Sequence, residues 1–223
     1  MKKKKEGNNM RRLIQSLFFL AGLLIFSYGI STAIQVQYLG LHPWDVLNIA
    51  MFDKYGLTIG TWSVIIGGIL VAFSLIIDRT YISIGTFLNA FLVGPMIDLF
   101  LFLDFFPPDG VNVVFDIIVL CFGITLMGIG GGVYNSAGLG AGPRDGFMLS
   151  ISDKTGFSIS KVRIITESGM LIIGWLLGGP VFVFTFIYTF IQSPIFQVSF
   201  LRSSKLVRRL TQKPDQKEVA KSV

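Results

Sequence analysis

Long stretches almost free of charge constrain this chain more than any other feature. Several windows hold 18 or more residues with almost no charged side chain. At about 1.5 Å of rise per residue, such a helix crosses a bilayer core of about 30 Å. Only 14% of the residues are charged, against about 25% in soluble domains. The sequence therefore predicts an all-α polytopic membrane protein with six transmembrane helices, at about 13–35, 60–77, 81–103, 113–134, 162–177 and 180–200.

The distribution of Lys and Arg predicts the direction of these spans. With the N-terminus inside, every basic residue except Lys54 falls in an inner segment, and basic residues near span ends are retained in the cytoplasm. Residues 1–12 then form a basic cytoplasmic N-terminus, and residues 202–223 form a basic cytoplasmic tail that attracts anionic lipid. The net charge of +6 is thus explained by the lipid bilayer, and no nucleic acid partner is implied.

The chain contains an internal repeat. Residues 39–59 align with 139–159 without a gap, and eight of the 21 positions are identical, among them Pro, Asp and Gly, which chance rarely aligns together. The identical pairs are Leu39/Leu139, Gly40/Gly140, Pro43/Pro143, Asp45/Asp145, Asp53/Asp153, Lys54/Lys154, Gly56/Gly156 and Ile59/Ile159. Further matches are Gly22/Gly123, Gly29/Gly130, and TFLNAFLVGP at 86–95 with TFIYTFIQSP at 185–194. The repeat predicts two halves of three spans each, 13–105 and 111–201.

Each half also carries a short polar segment, 43–54 or 143–154, that is predicted to be a helix of its own. Proline suits its first position, an Asp lies in its first turn, where the helix dipole favours negative charge, and a glycine ends it. At about 18 Å such a helix is too short to cross the bilayer. It is therefore either re-entrant or flat on the membrane interface.

The short helices determine how the two halves relate. If they do not cross, each half crosses three times and the second half enters upside down. The helix starting at Pro43 then belongs to the outer side, with Trp44 at the interface. The helix starting at Pro143 belongs to the inner side, with Arg144 among the cytoplasmic charges. The sequence thus predicts two inverted repeats with equivalent half-sites or gates facing opposite compartments.

The motifs resemble those of the YczE/YyaS/YitT group of bacterial integral membrane proteins, most strongly its YczE branch. The resemblance rests on Gly-x-x-Pro-Trp-Asp at 40–45, Gly-x-Gly-Pro-Arg-Asp at 140–145 and Gly-Thr-Phe-Leu…Gly-Pro-Met-Ile-Asp at 85–98, and covers most of the chain. It implies a multi-pass protein of a bacterial plasma membrane with five to six spans. The chain departs from the pattern at His42, where a glycine would match Gly142.

The candidate substrate or gating residues are the polar residues inside spans, which are costly in lipid, and the Pro, Asp and Arg residues that begin the short helices. They are Pro43, Asp45, Asn89, Pro143, Arg144, Asp145 and Glu167. Each also has a structural interpretation. The two aspartates, or His42, could cap the short helices, Glu167 could pair with Arg163 one turn earlier, and Asn89 could form an interhelical hydrogen bond.

These residues favour a small-solute or ion permease with a site between the halves. The chain shows no nucleophile–base set, no metal-ligand cluster and no phosphate-binding loop, so the sequence predicts no enzymatic activity, no cofactor and no metal. The alternative is a non-transporting membrane accessory or regulatory protein that acts through a partner. A homodimer is compatible with either function.

Overall fold

The structure, a computed structural model, describes residues 2–103 and 112–211. These residues form eight α-helices and one short 3₁₀ turn, and no strand, which confirms the all-α prediction. The helices are α1 (Lys2–Ile34), α2 (Pro43–Tyr55), α3 (Ile59–Ile77), α4 (Ile84–Leu103), α5 (Val113–Ser136), α6 (Pro143–Thr155), α7 (Ile159–Leu176) and α8 (Val183–Thr211). The predicted join between the halves, near 105–111, and most of the tail lie outside the described residues.

Five of the described helices are long and apolar enough to cross a membrane: α1 from Asn9 onward, α3, α4, α5 and α8. The segment predicted as the fifth span, 162–177, lies in α7. Helix α7 is not among the five, since Lys161, Arg163 and Glu167 interrupt its apolar sequence. The structure therefore supports a membrane protein with at least five spans by length and composition.

Helices α1 and α5 form the centre of the fold. They run antiparallel, because residues late in α1 meet residues early in α5. A Cβ atom at Gly29 would lie 2.7 Å from the Gly123 carbonyl oxygen, and one at Gly130 would lie 2.7 Å from the Gly22 carbonyl oxygen. Only glycine lets the two backbones approach this closely, as is common at helix crossings in membranes.

The remaining long helices surround this pair. Helix α4 packs against α1, and α8 packs against α5. Helix α3 packs against α4, where Gly60 and Gly94 are in direct contact. Helix α7 packs instead against the two short helices, so that its described residues stand away from α8. The helices therefore enclose a central space that is less tightly closed between α7 and α8.

The two short helices insert into this central space. All residues from Pro43 to Ala50 of α2 are buried, whereas its C-terminal residues Asp53 to Tyr55 are exposed. Helix α6 likewise begins at the buried Pro143 and ends at exposed residues around Lys154. Both predicted helices are confirmed to within one residue of their ends. Their buried N-termini agree with the re-entrant alternative and not with helices lying flat on a surface.

Candidate functional site

The N-terminal ends of the short helices meet at a cavity in the centre of the fold. Its volume is about 100 Å³, and each of the eight described helices contributes to its lining. The lining includes five of the predicted site residues, Asn89, Pro143, Arg144, Asp145 and Glu167. Asp45 joins the site through Arg144, whereas Pro43 begins α2 without lining the cavity. The polar residues singled out by the sequence thus gather at one place.

An ion pair links the two short helices directly. Arg144 Nη2 of α6 lies 3.1 Å from Asp45 Oδ1 of α2, and the Asp45 side chain is only 2% exposed. The Arg144 guanidinium also lies 5.4 Å from the centroid of the Trp44 ring, an arrangement that favours a cation–π contact. Arg144 therefore binds both the carboxylate and the aromatic ring of the partner helix.

This contact corrects two expectations from the sequence. Trp44 is not at a membrane interface, because it is 1% exposed in the core. Arg144 is not one more cytoplasmic surface charge, because it lines the cavity. The N-terminal ends of the two short helices therefore meet at one cavity. The two half-sites or gates expected from the repeat remain a prediction.

A second group of charges borders the same cavity. Arg163 of α7 lies 3.4 Å from Asp145 and 3.9 Å from Glu167, and His42 Nε2 lies 3.7 Å from Glu167. The predicted pairing of Glu167 with Arg163 is thus confirmed. The Tyr134 hydroxyl lies 3.5 Å from Asp145. Charged groups of α6 and α7 therefore form a connected network that reaches His42, the N-cap of α2.

The helix caps explain why the aspartates are available for these pairs. His42 is the N-cap of α2, and its Nδ1 accepts a long hydrogen bond from the Trp44 backbone N–H at 3.5 Å. Gly142 is the N-cap of α6 and supplies no side-chain hydrogen bond. The capping interpretation is therefore right for His42 and wrong for Asp45 and Asp145, whose carboxylates face arginines.

Two uncharged, buried nitrogen donors at the cavity have no hydrogen-bond partner in the described part of the protein. They are Trp44 Nε1 and Asn89 Nδ2, on side chains that are 1% and 6% exposed. The Asn89 amide lies beside the Tyr134 hydroxyl without the geometry of a hydrogen bond. The predicted interhelical hydrogen bond of Asn89 is therefore not formed. Buried donors without acceptors are costly, and this makes them candidates for ligand contact.

Sequence reasoning missed several polar residues that complete the cavity wall. Tyr134 of α5 and the neighbouring Gln192 and Ser193 of α8 line it. A usable signal was present, because Gln192 and Ser193 are polar side chains in a predicted span, where polar groups face the protein interior. Tyr134 had no such signal, since tyrosine is frequent at membrane interfaces as well.

Contacts near its C-terminal end hold α6 in place. Ser150 donates a hydrogen bond to the Asp78 carbonyl at 3.2 Å, and the Tyr81 hydroxyl donates to the Asp153 carboxylate. This bond raises the pKa of Tyr81. Hydrogen bonds from the Thr80 hydroxyl and backbone N–H lower the pKa of Asp78. These hydrogen bonds fix the exposed C-terminal end of α6 to the loop after α3, while the N-terminal end of α6 carries Arg144.

The cavity's chemistry favours binding. Two guanidinium groups, two carboxylates and two uncharged, unpartnered N–H donors line the cavity and can bind a small polar solute. Among the described residues, no group of three His, Cys, Asp or Glu side chains has the geometry to hold a metal ion. The fold and the site together define a helical membrane protein with a buried polar cavity.

The chain belongs to a family of unknown function (DUF6198), whose model matches residues 13–200. It is 40% identical over 190 residues to the uncharacterised membrane protein YczE of Bacillus subtilis strain 168, covering 85% of this chain and 87% of that protein. The uncharacterised protein YyaS of the same organism is 30% identical over 165 residues, or 74% of this chain and 82% of YyaS.

A third relative, an uncharacterised protein of Haemophilus influenzae strain ATCC 51907 / DSM 11121 / KW20 / Rd, is 32% identical over 174 residues, covering 76% of this chain and 75% of that protein. No solved structure matches the chain. These comparisons confirm the resemblance to the YczE-like group that the Pro-Trp-Asp and Pro-Arg-Asp motifs indicated.

Proposed function

We propose that this protein is a small-solute or ion permease whose substrate site is the cavity between two inverted halves. One observation carries the proposal. The N-termini of the short helices of both halves meet at one polar cavity, and Arg144 of α6 pairs there with Asp45 of α2. Interrupted or short helices that meet between inverted repeats are typical of substrate sites in secondary transporters.

The contacts between α1 and α5 support an inverted relation. Gly22 and Gly29 of α1 correspond in the repeat to Gly123 and Gly130 of α5. Gly29 approaches the carbonyl of Gly123, and Gly130 approaches the carbonyl of Gly22, both at 2.7 Å from the position of a Cβ atom. Such exchange of equivalent contacts is the mark of a two-fold axis. Because the two equivalent helices are antiparallel, this axis would lie in the membrane plane.

The short helices obey the same exchange. A Cβ atom at Gly40, before α2, would lie 2.9 Å from Thr185 Oγ1 of α8. A Cβ atom at the equivalent Gly140 would lie 3.1 Å from Thr86 Oγ1 of α4, the residue that matches Thr185. Both glycines have positive φ angles, 122° and 131°, which only glycine adopts easily. The segment that leads into each short helix thus contacts the last long helix of the other half.

The sixth crossing of this scheme is α7. Its 18 residues give a length of about 27 Å, close to the bilayer core of about 30 Å. Two of its charges, Arg163 and Glu167, line the cavity, so they would be shielded from lipid by the protein. A helix that contributes charges to an interior site has a less apolar sequence than the other spans, and it can still cross the membrane.

One difference between the halves fits alternating access. Helices α3 and α4 are in contact through Gly60 and Gly94, whereas α7 and α8 carry Ser160 and Ser193 at the matching positions and stand apart. The cavity is lined by both α7 and α8. In a transporter built from inverted halves, the site is open to one face of the membrane while it is closed to the other, and we place the open side between α7 and α8.

The proposed orientation follows the positive-inside rule. It places both termini in the cytoplasm of a bacterial cell and the protein in the plasma membrane. Helix α8 ends with Arg202, Lys205, Arg208 and Arg209, and these charges would meet anionic headgroups of the inner leaflet.

Uptake into proteoliposomes tests the permease proposal. The probes are labelled inorganic ions, amino acids, sugars and organic acids, each compared with protein-free liposomes. We expect at least one probe to enter faster with the protein than without it. We expect Asp145→Asn to abolish that uptake, because Arg163 then loses its carboxylate partner at the cavity. Asp53→Asn is the matched control, since Asp53 is exposed at the far end of α2.

Two results contradict the proposal. One is uptake no faster than in empty liposomes for every probe class, and the other is equal uptake by wild type and Asp145→Asn. The first result favours the alternative of a non-transporting membrane protein that acts through a partner. Co-purification of a specific membrane protein with the wild type would then be the next measurement.

A further inference from the structure

We infer that the cavity binds a small zwitterion that carries a carboxylate and an ammonium group, as a free amino acid does. The inference deepens the proposed function, because it names the class of solute for the same site. It rests on two properties of the cavity: N–H donors that lack acceptors, and charged side chains on the cavity wall that balance one another.

The unpartnered donors call for an oxyanion. Trp44 Nε1 and Asn89 Nδ2 are buried N–H groups without an acceptor among the described residues, and both side chains line the cavity. Arg163 Nε also lacks a hydrogen bond, since it lies 3.9 Å from Glu167 Oε1. Three donors on three different helices, α2, α4 and α7, can converge on the oxygens of one carboxylate.

The two short helices add to this preference. The N-termini of α2 and α6 lie at the cavity, where Trp44, Pro143 and Arg144 line it. Each helix has 13 residues, so its N-terminus carries a positive partial charge of up to about half a unit. Paired half-helix N-termini of this kind attract the carboxylate of a substrate.

The charged side chains call for a cation as well. Two carboxylates, Asp145 and Glu167, and two guanidinium groups, Arg144 and Arg163, line the cavity, whereas Asp45 contacts Arg144 without lining it. The charges on the cavity wall therefore balance. A simple anion would leave a net negative charge in a buried environment, where unbalanced charge is costly. An ammonium group on the same ligand keeps the balance, with Glu167 and Asp145 at the cavity wall to receive it.

The size of the cavity limits the solute. A volume of about 100 Å³ is well above the roughly 10–15 Å³ that one water needs. The cavity therefore has room for a small polar molecule such as a small amino acid. Phe26, Met127 and Phe196 supply an apolar part of the wall for an aliphatic side chain.

Thermal unfolding of the purified protein in detergent tests this inference without requiring transport. The probes are the proteinogenic amino acids at millimolar concentration. The one giving the largest shift is then compared with its analogue lacking the amino group and its analogue lacking the carboxylate. We expect the amino acid to raise the melting temperature by a few degrees, because a ligand that binds only the folded form stabilises it. We expect neither analogue to do so.

Conservative substitutions locate the site. Trp44→Phe keeps the ring and removes only the N–H, so we expect the affinity for the amino acid to fall about tenfold, as for one lost hydrogen bond to a charged group. Glu167→Gln keeps the shape and removes one negative charge, and we expect a similar loss. Trp62→Phe is the matched control, since Trp62 Nε1 donates to the Gly56 carbonyl at 2.8 Å, away from the cavity, and its affinity should not change.

Each other outcome overturns the inference. An equal shift with the analogue lacking the amino group indicates an anion site, and an equal shift with the analogue lacking the carboxylate indicates a cation site. The absence of a shift with every amino acid shows that no zwitterion is bound. The permease proposal is tested separately. Binding of a zwitterion without uptake contradicts only the permease proposal. Uptake of an ion or sugar alone supports a permease with another class of substrate.

Discussion

At the scale of single residues, the fold depends on how Arg144 is partnered. Its guanidinium lies 3.1 Å from Asp45 and over the Trp44 ring, and the Asp45 carboxylate is almost completely buried. Removing one partner of a buried ion pair leaves a charge without compensation, which costs about 3–5 kcal/mol. Removing both charges leaves no orphan. Substituting Arg144 and Asp45 singly and together therefore tests whether the two short helices are coupled.

We expect Arg144→Met and Asp45→Leu each to lower the melting temperature strongly, and the double variant to recover a large part of the loss. The coupling free energy should be about 1–3 kcal/mol, as for neighbouring residues. Thermal unfolding followed by tryptophan fluorescence measures whether the double variant melts at a higher temperature than the two single losses together predict. Lys161→Met, at an exposed position of α7, is the control and should change little. Strictly additive losses in the double variant would show that the pair does not form.

At the scale of helices, close backbone approach holds the central pair together. Gly22 is in contact with the backbone of Tyr134, and Gly29 and Gly130 meet opposing carbonyl groups. A side chain at any of these positions must move one helix away from the other. Gly68 of α3 and Gly169 of α7 have no such neighbours, because nothing lies within 4 Å of a Cβ atom at either position. The same residue type therefore has opposite roles in the two places.

We expect Gly22→Ala to destabilise the protein by about 1–3 kcal/mol, the usual cost of overpacking a dense core. Gly169→Ala, in the interior of α7, should be neutral or stabilising by about 0.5–1 kcal/mol, because alanine loses less backbone entropy in a helix. Melting temperatures of the two variants in the same detergent decide between these signs. Similar melting temperatures for both would mean that the α1–α5 contact is not close in the membrane.

At the scale of the whole molecule, the proposed inverted halves make a prediction about sidedness. The N-terminal ends of α2 and α6 meet inside the protein, so their sidedness has to be measured at the exposed C-terminal ends, Lys54 and Lys154. The inverted scheme places these two ends on opposite faces of the membrane. A scheme with parallel halves places them on the same face.

Thiol labelling separates the two schemes. In a Cys121→Ser background, which removes the exposed native cysteine, we expect a membrane-impermeant maleimide added to intact cells to label Lys54→Cys and not Lys154→Cys. After permeabilisation both should react, which shows that the second thiol is accessible. Labelling of both positions in intact cells is incompatible with inverted halves.

The sequence by itself determined the class of protein, the approximate positions of the helices and part of the cavity wall. Long uncharged runs leave few alternatives to membrane helices, since a helix satisfies its own backbone hydrogen bonds in lipid. The Pro-led motifs located α2 and α6 to within one residue, because proline and glycine act through local backbone geometry. Five of the seven candidate residues line the cavity, because polar groups in apolar segments face the protein interior.

Only the tertiary structure decided which of these residues meet. The sequence separated Asp45 and Arg144 by 99 positions and assigned them to opposite membrane faces, whereas the fold joins them at 3.1 Å. It also decided that Trp44 is buried and that Trp44 and Asn89 keep donors without acceptors. The physical reason is that propensity and hydropathy act on neighbouring residues. The depth of a re-entrant helix depends instead on backbone packing among α1, α3, α5 and α7, which no local pattern encodes.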